Sequence, residues 1–220
     1  FGSYGLMQVF NIGTNLLSAV ADLILGVPMD NALVVSIEQG TIVANVIAMA
    51  VIAPLFEEFI FRKILYDKLI GYGPHVYILV SAILFMSFHM NLFQMLYTFQ
   101  LGLILATVYA YTKNFFYNWL LHFVINSIAC IGLVIATLDH QQAESIVELY
   151  SVALMCIALV GVIVTIVYAS TDLKKFSLGY GTPLSYKGAK AVFLNPGMII
   201  FYISTAGLTF LMQLALSLPT

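Results

Sequence analysis

Three ionisable side chains stand together in an apolar stretch, Pro54-Leu55-Phe56-Glu57-Glu58-Phe59-Ile60-Phe61-Arg62. At the centre of a membrane helix each would cost about 2.5–3.5 kcal/mol on insertion scales, so each needs a partner. Glu58 and Arg62 are four residues apart with the acid first, the favourable order for a helical ion pair. Glu57 has no such partner and points about 100° around the helix from Glu58. Of the four histidines, two fall in apolar runs. His89 closes Phe85-Met86-Ser87-Phe88-His89, and His122 opens His122-Phe123-Val124-Ile125-Asn126, whose end residues share a helix face. His75 and His140 are expected in connections. A desolvated carboxylate within reach of an imidazole can take a proton from water, a step worth about 10²–10⁴-fold. Imidazole and amide donors aimed at a developing oxyanion add a comparable factor. The set Glu57, His89, His122 and Asn126, supported by Glu58 and Arg62, therefore suits hydrolysis of an amide by activated water. Ser87 lies on a different face from His89, which disfavours a serine nucleophile. A second assignment stays open, with Glu57, His89 and His122 as three zinc ligands and water as the fourth. The helical HExxH pattern that would favour it is absent. No organic cofactor is expected.

These residues must be carried by membrane helices. Of the 220 residues, 62% are hydrophobic and only 8% charged, where a soluble domain has about 25% charged. That composition excludes an ordinary soluble domain. A net charge of -2 gives no basic surface for nucleic acid. Since a helical crossing needs about 20 mostly apolar residues, crossings are expected near 6–27, 41–65, 75–91, 93–112, 115–137, 144–170 and 197–217. The fold class is thus an all-α, polytopic transmembrane helical bundle of about seven crossings, one integral membrane domain over 1–220 with its chemistry in 41–130. In the first crossing Gln8, Asn11, Asn15, Ser18 and Asp22 recur at helical spacing, which aims them into the bundle, the alternative being an amphipathic helix on the membrane surface. Pro54 cannot donate to the carbonyl of Ala50, so a kink or local opening is expected just before the acids.

All eight Lys and Arg residues fall at or after the second, fourth and sixth crossings. Short loops rich in these residues stay in the cytosol, which places those three connections there. At about 1.5 Å per residue, Glu57 and His122 lie roughly 13 and 11 Å from the cytosolic ends of their helices, and His89 roughly 20 Å. The segment 171–196 reads as a cytosolic loop with an interfacial piece, its lysines solvated. Cys130 and Cys156, in apolar runs without metal or disulfide spacing, read as packing residues. The chain starts at Phe1 without a cleavable leader, so an upstream piece is expected.

The three patterns Glu57-Glu58-Phe59-Ile60-Phe61-Arg62, Phe85 to His89 and His122 to Asn126 match EExxxR, FxxxH and HxxxN in order. Together they resemble the CAAX protease and bacteriocin-processing (CPBP, or Abi) family, with Phe99 to Leu105 similar to the helix that family places between its second and third motifs. Each motif alone is weak; all three in order on separate membrane helices are specific, and they cover about 41–130. The resemblance implies an intramembrane endopeptidase open toward the cytosol, with Glu57 as general base and His89 as its partner on the attacking water. By the same resemblance His122 and Asn126 steady the oxyanion, and Glu58 and Arg62 organise the site. The implied partners are membrane lipid and a peptide or protein substrate, lipidated or not, and the implied location is a bacterial cell membrane. A different class of function keeps the pocket and drops the hydrolysis, as a membrane scaffold or bacteriocin-immunity factor. A proton-relay transporter also uses buried acids, but expects repeated halves with broken helices, which the sequence lacks.

Overall fold

The computed structural model describes residues 12, 13, 16, 19, 20, 23, 41–136, 140–172 and 186–217. Most of the first expected crossing, including its polar face, and residues 173–185 of the 171–196 connection lie outside the described residues. The described residues form helices and short turns, with no strand among them, as the composition requires. A strand in lipid needs a closed barrel to satisfy its backbone, whereas a helix satisfies its own.

Helix α1 runs Ile42–Tyr72, α2 Pro74–Phe88, α3 Met95–Thr112, α4 Phe115–Ala136, α5 His140–Asp172, α6 Tyr186–Phe193 and α7 Pro196–Ser217. Ile42–Tyr72, Leu92–Thr112 and Phe115–Gly132 are long and apolar enough to cross a membrane, and α2, α5 and α7 carry shorter apolar stretches. All six expected crossings that fall on described residues coincide with these helices. Helix α1 continues past the expected end at 65 to Tyr72. Its last turns carry Lys63, Asp67 and Lys68, which hydropathy reads as the end of a span, although nothing in them stops a helix. Gly73 stops it: its φ of 100° is costly for a side-chain-bearing residue, and Pro74 restarts the chain as α2. His75 and His140 accordingly sit in the first turns of α2 and α5 and not in connections, and His75 is exposed. Between α3 and α4, Lys113 takes the left-handed conformation and Asn114 caps α4 through the amide of Tyr117. Within 171–196 the described residues include α6, whose last turn holds Lys190.

Helices α2 and α3 pack most closely. A Cβ on Gly102 would lie 2.8 Å from the Ala82 Cα, so only glycine lets the two backbones approach this far. Beside that contact Phe61, Phe85, Leu101 and Leu105 form one buried cluster, against which Leu121 and Ile125 of α4 pack. A second cluster joins Tyr77, Ile78, Ala106 and Tyr109. Leu55, Phe56, Phe59 and Ile60 of α1 are exposed, as are Ile200, Ile203 and Phe210 of α7. Lipid is the solvent that suits these faces. Cys130 is buried as a packing residue, but Cys156 lies on an exposed face of α5; an apolar neighbourhood in sequence does not say which side of a membrane helix meets lipid.

A carboxylate pair held by three helices

Helix α1 is not uniformly α-helical. It widens into π-helical segments at Ala48–Ile52 and Phe59–Ile64, and the α-helical stretch between them, Ala53–Glu58, carries both acids. The opening expected before Pro54 takes this form. In the π register the Ala53 amide donates to the Ala48 carbonyl, five residues back. The Met49 carbonyl would then look to the nitrogen of Pro54, which has no hydrogen. Asn126 supplies the missing donor, its Nδ2 lying 2.8 Å from the Met49 oxygen. The orphaned carbonyl is thus one residue earlier than the Ala50 expected from an α register. Nearby, Trp119 Nε1 donates to the Val51 carbonyl at 3.5 Å.

This coupling is testable. Asn126→Ala should destabilise the protein by about 1 kcal/mol, the usual worth of such a hydrogen bond. Most of that loss should vanish in a Pro54→Ala background, where the helix can return to α register. Thermal melts of the four proteins of the cycle in detergent give the interaction energy; additive losses would show that Asn126 does not serve the proline's orphan.

Glu58 is fully buried at 0% exposure. Its Oε2 lies 3.2 Å from Arg62 Nε, the ion pair expected from the spacing, and accepts a hydrogen bond from Asn118 Nδ2. Its Oε1 accepts from His122 Nδ1 at 2.9 Å. The Arg62 contact through Nε is a charge contact without an aligned hydrogen bond. The guanidinium is fixed instead by Nη1 on Ser81 Oγ at 3.3 Å and by the Phe85 ring, 4.7 Å from Cζ to centroid. Ser81 passes its own hydrogen to the Phe61 carbonyl at 2.9 Å.

Glu57 points elsewhere, as its position on the helix requires, yet toward the same imidazole. Its Oε2 lies 3.6 Å from His122 Nε2, is buried, and has no hydrogen-bond partner. His122 therefore stands between the two acids, one at each ring nitrogen. Since a carboxylate only accepts, the Nδ1 facing Glu58 carries a proton. His89 closes α2, which at 15 residues is about 22 Å long and too short to span the roughly 30 Å hydrocarbon core. His89 Nδ1 donates to the Phe85 carbonyl at 2.8 Å, leaving Nε2 for other work. Phe85 packs edge-on against both imidazoles, with centroids 4.7 Å from His89 and 5.7 Å from His122, and His89 is within electrostatic reach of Glu57.

Glu57, Glu58, Arg62, His89 and His122 are thus brought together. Asn126, one turn beyond His122, reaches the backbone of α1 beside them; its amide retains a second hydrogen. Motif reading missed Asn118 and Ser81. Asn118 is fully buried, and its signal was present: residues 118, 122 and 126 repeat at four-residue spacing on one face of α4. Among the described residues no three of His, Cys, Asp and Glu are grouped to hold a metal ion. His122 and His89 each engage Nδ1, with Glu58 and the Phe85 carbonyl, which leaves both Nε2 atoms as the ones able to meet a ligand.

The geometry defines a class: a membrane-embedded helical protein with a carboxylate–imidazole site suited to activating water. Residues 39–128 match the family model described as type II CAAX prenyl endopeptidase Rce1-like. This segment, less than half of the chain, is similar to that family and holds every motif residue. No curated protein and no solved structure matches the chain.

Proposed function

We propose that the protein hydrolyses a peptide bond near the C-terminus of a peptide or protein, with water activated by Glu57 and His89 and without a metal. The observation that carries this reading is the Glu57 Oε2 atom, buried, free of hydrogen bonds and 3.6 Å from His122 Nε2. A carboxylate left unsatisfied beside an imidazole is costly unless a polar ligand or water completes it. In the reaction Glu57 takes a proton from water, whose oxygen attacks the carbonyl carbon. The oxyanion is met by donors from His122 and the second amide hydrogen of Asn126. When the C–N bond breaks, Glu57 returns the proton to the leaving amine. Glu58 and Arg62 contribute by holding His122, and His89 orients the water. The side that carries the basic residues is the cytosolic one, so the substrate enters from the cytosol, in a bacterial cell membrane. The matched segment lies within one integral membrane domain.

The activity in that family's description suggests the probe: an internally quenched, farnesylated peptide ending in a CAAX sequence. Full-length protein in liposomes should release a C-terminal tripeptide, identified by mass, at a rate unchanged by chelator, and in ¹⁸O water the new carboxylate should carry the label. Chelator-sensitive cleavage with stoichiometric zinc would replace the metal-free mechanism. An unmodified peptide cleaved equally well would remove the need for the lipid.

A further inference from the structure

Asn118 lies outside all three motifs, yet it is fully buried and joins three helices. From α4 its Nδ2 donates to Glu58 Oε2 on α1 and to the Leu105 carbonyl on α3, the latter at 3.0 Å. Both partners only accept, so the amide must present its nitrogen, and both of its hydrogens are used. This bond and the Arg62 contact fall on the same oxygen and together fix the plane of the Glu58 carboxylate. In that orientation Oε2 is held by Arg62 and Asn118, and Oε1 is left for His122 Nδ1.

We infer that Asn118 is a positioning residue: by pinning Glu58 Oε2 to the α3 backbone it directs Oε1 to His122, keeps the proton on Nδ1, and so turns Nε2 toward Glu57 and the scissile bond. Arg62 alone does not do this, because its Nε contact is not aligned as a hydrogen bond and its guanidinium is anchored on Ser81 and Phe85. Without Asn118 the plane of the carboxylate can turn and carry its oxygen out of line with His122 Nδ1. The inference rests on the proposed function for its catalytic consequence, but its structural content does not.

The test uses the full chain in detergent micelles, ¹⁵N-labelled at histidine, with His122 identified by the resonance missing from His122→Gln. In the unmodified protein His122 Nδ1 should resonate as a protonated, pyrrole-type nitrogen; an unprotonated Nδ1 overturns the assignment. Asn118→Leu and Asn118→Ala, both without a donor, should move that resonance. On the farnesylated probe they should lower kcat by about 10- to 100-fold, the range for losing a hydrogen bond to a charged group, with KM changed less than about twofold. Asn118→Gln, which keeps both donors, should recover much of the rate. If Asn118→Leu melts lower but keeps the His122 resonance and kcat, Asn118 is structural only and the inference fails. If the resonances behave as expected while no variant, nor the parent, cleaves the probe, the positioning role stands and the proposed substrate falls.

Discussion

Glu57→Gln lowers kcat on the farnesylated probe by about 10²–10⁴-fold, the usual contribution of a general base, and leaves the melting temperature of the protein within error. Both halves of that expectation come from the geometry. An amide cannot accept water's proton, so the chemical step is lost. The side chain is partly open at 14% exposure, and its inner oxygen makes no hydrogen bond, so replacing it removes one loose contact with His122 and little else. Glu58→Gln is the contrasting control. There the replacement falls between Arg62, Asn118 and His122 and faces at least one donor with an NH₂ group, so stability should fall together with activity. Stopped-time cleavage and thermal melts on the same preparations separate the cases. A folded Glu57→Gln protein with full activity would falsify the role of this acid as base. A cellular phenotype that survives loss of cleavage would assign the pocket to binding, as a scaffold or immunity factor would use it.

Arg62→Leu should cost about 3–5 kcal/mol, the largest stability loss expected in the chain, because it strands a buried carboxylate without its counter-charge. Arg62 and Glu58 are each 0% exposed, so neither water nor headgroups can take over. Arg62→Lys should lose less but not be silent. A lysine keeps the charge yet cannot reach Ser81 and stack on Phe85 together. Unfolding in mixed micelles followed by far-ultraviolet circular dichroism gives both values. An unaltered transition for Arg62→Leu would mean that Asn118 and His122 suffice to hold Glu58, and the account of the ion pair would have to be abandoned.

Hydropathy located the helices because lipid allows few alternatives. Every apolar run of sufficient length on described residues became a helix, and the errors at Tyr72, His75 and His140 are errors of ends. A helix end depends on a cap or a φ value, as at Gly73, more than on hydropathy. The ion pair of Glu58 and Arg62 was likewise readable, since four-residue spacing puts both on one face whatever surrounds them.

What the sequence determined by itself was therefore whatever repeats along one helix: the membrane habitat, the order of the spans, the paired charges, and the sharing of a face by His122 and Asn126. What only the tertiary structure decided was which helix each side chain meets. It put His122 between two acids of α1, gave Asn126 the carbonyl orphaned by Pro54, and made Asn118 a bridge to Leu105. These contacts join residues far apart in the chain. Their choice depends on π-helical turns that rotate α1 locally and on a glycine-close contact between α2 and α3, a few ångströms of placement that no helical period encodes.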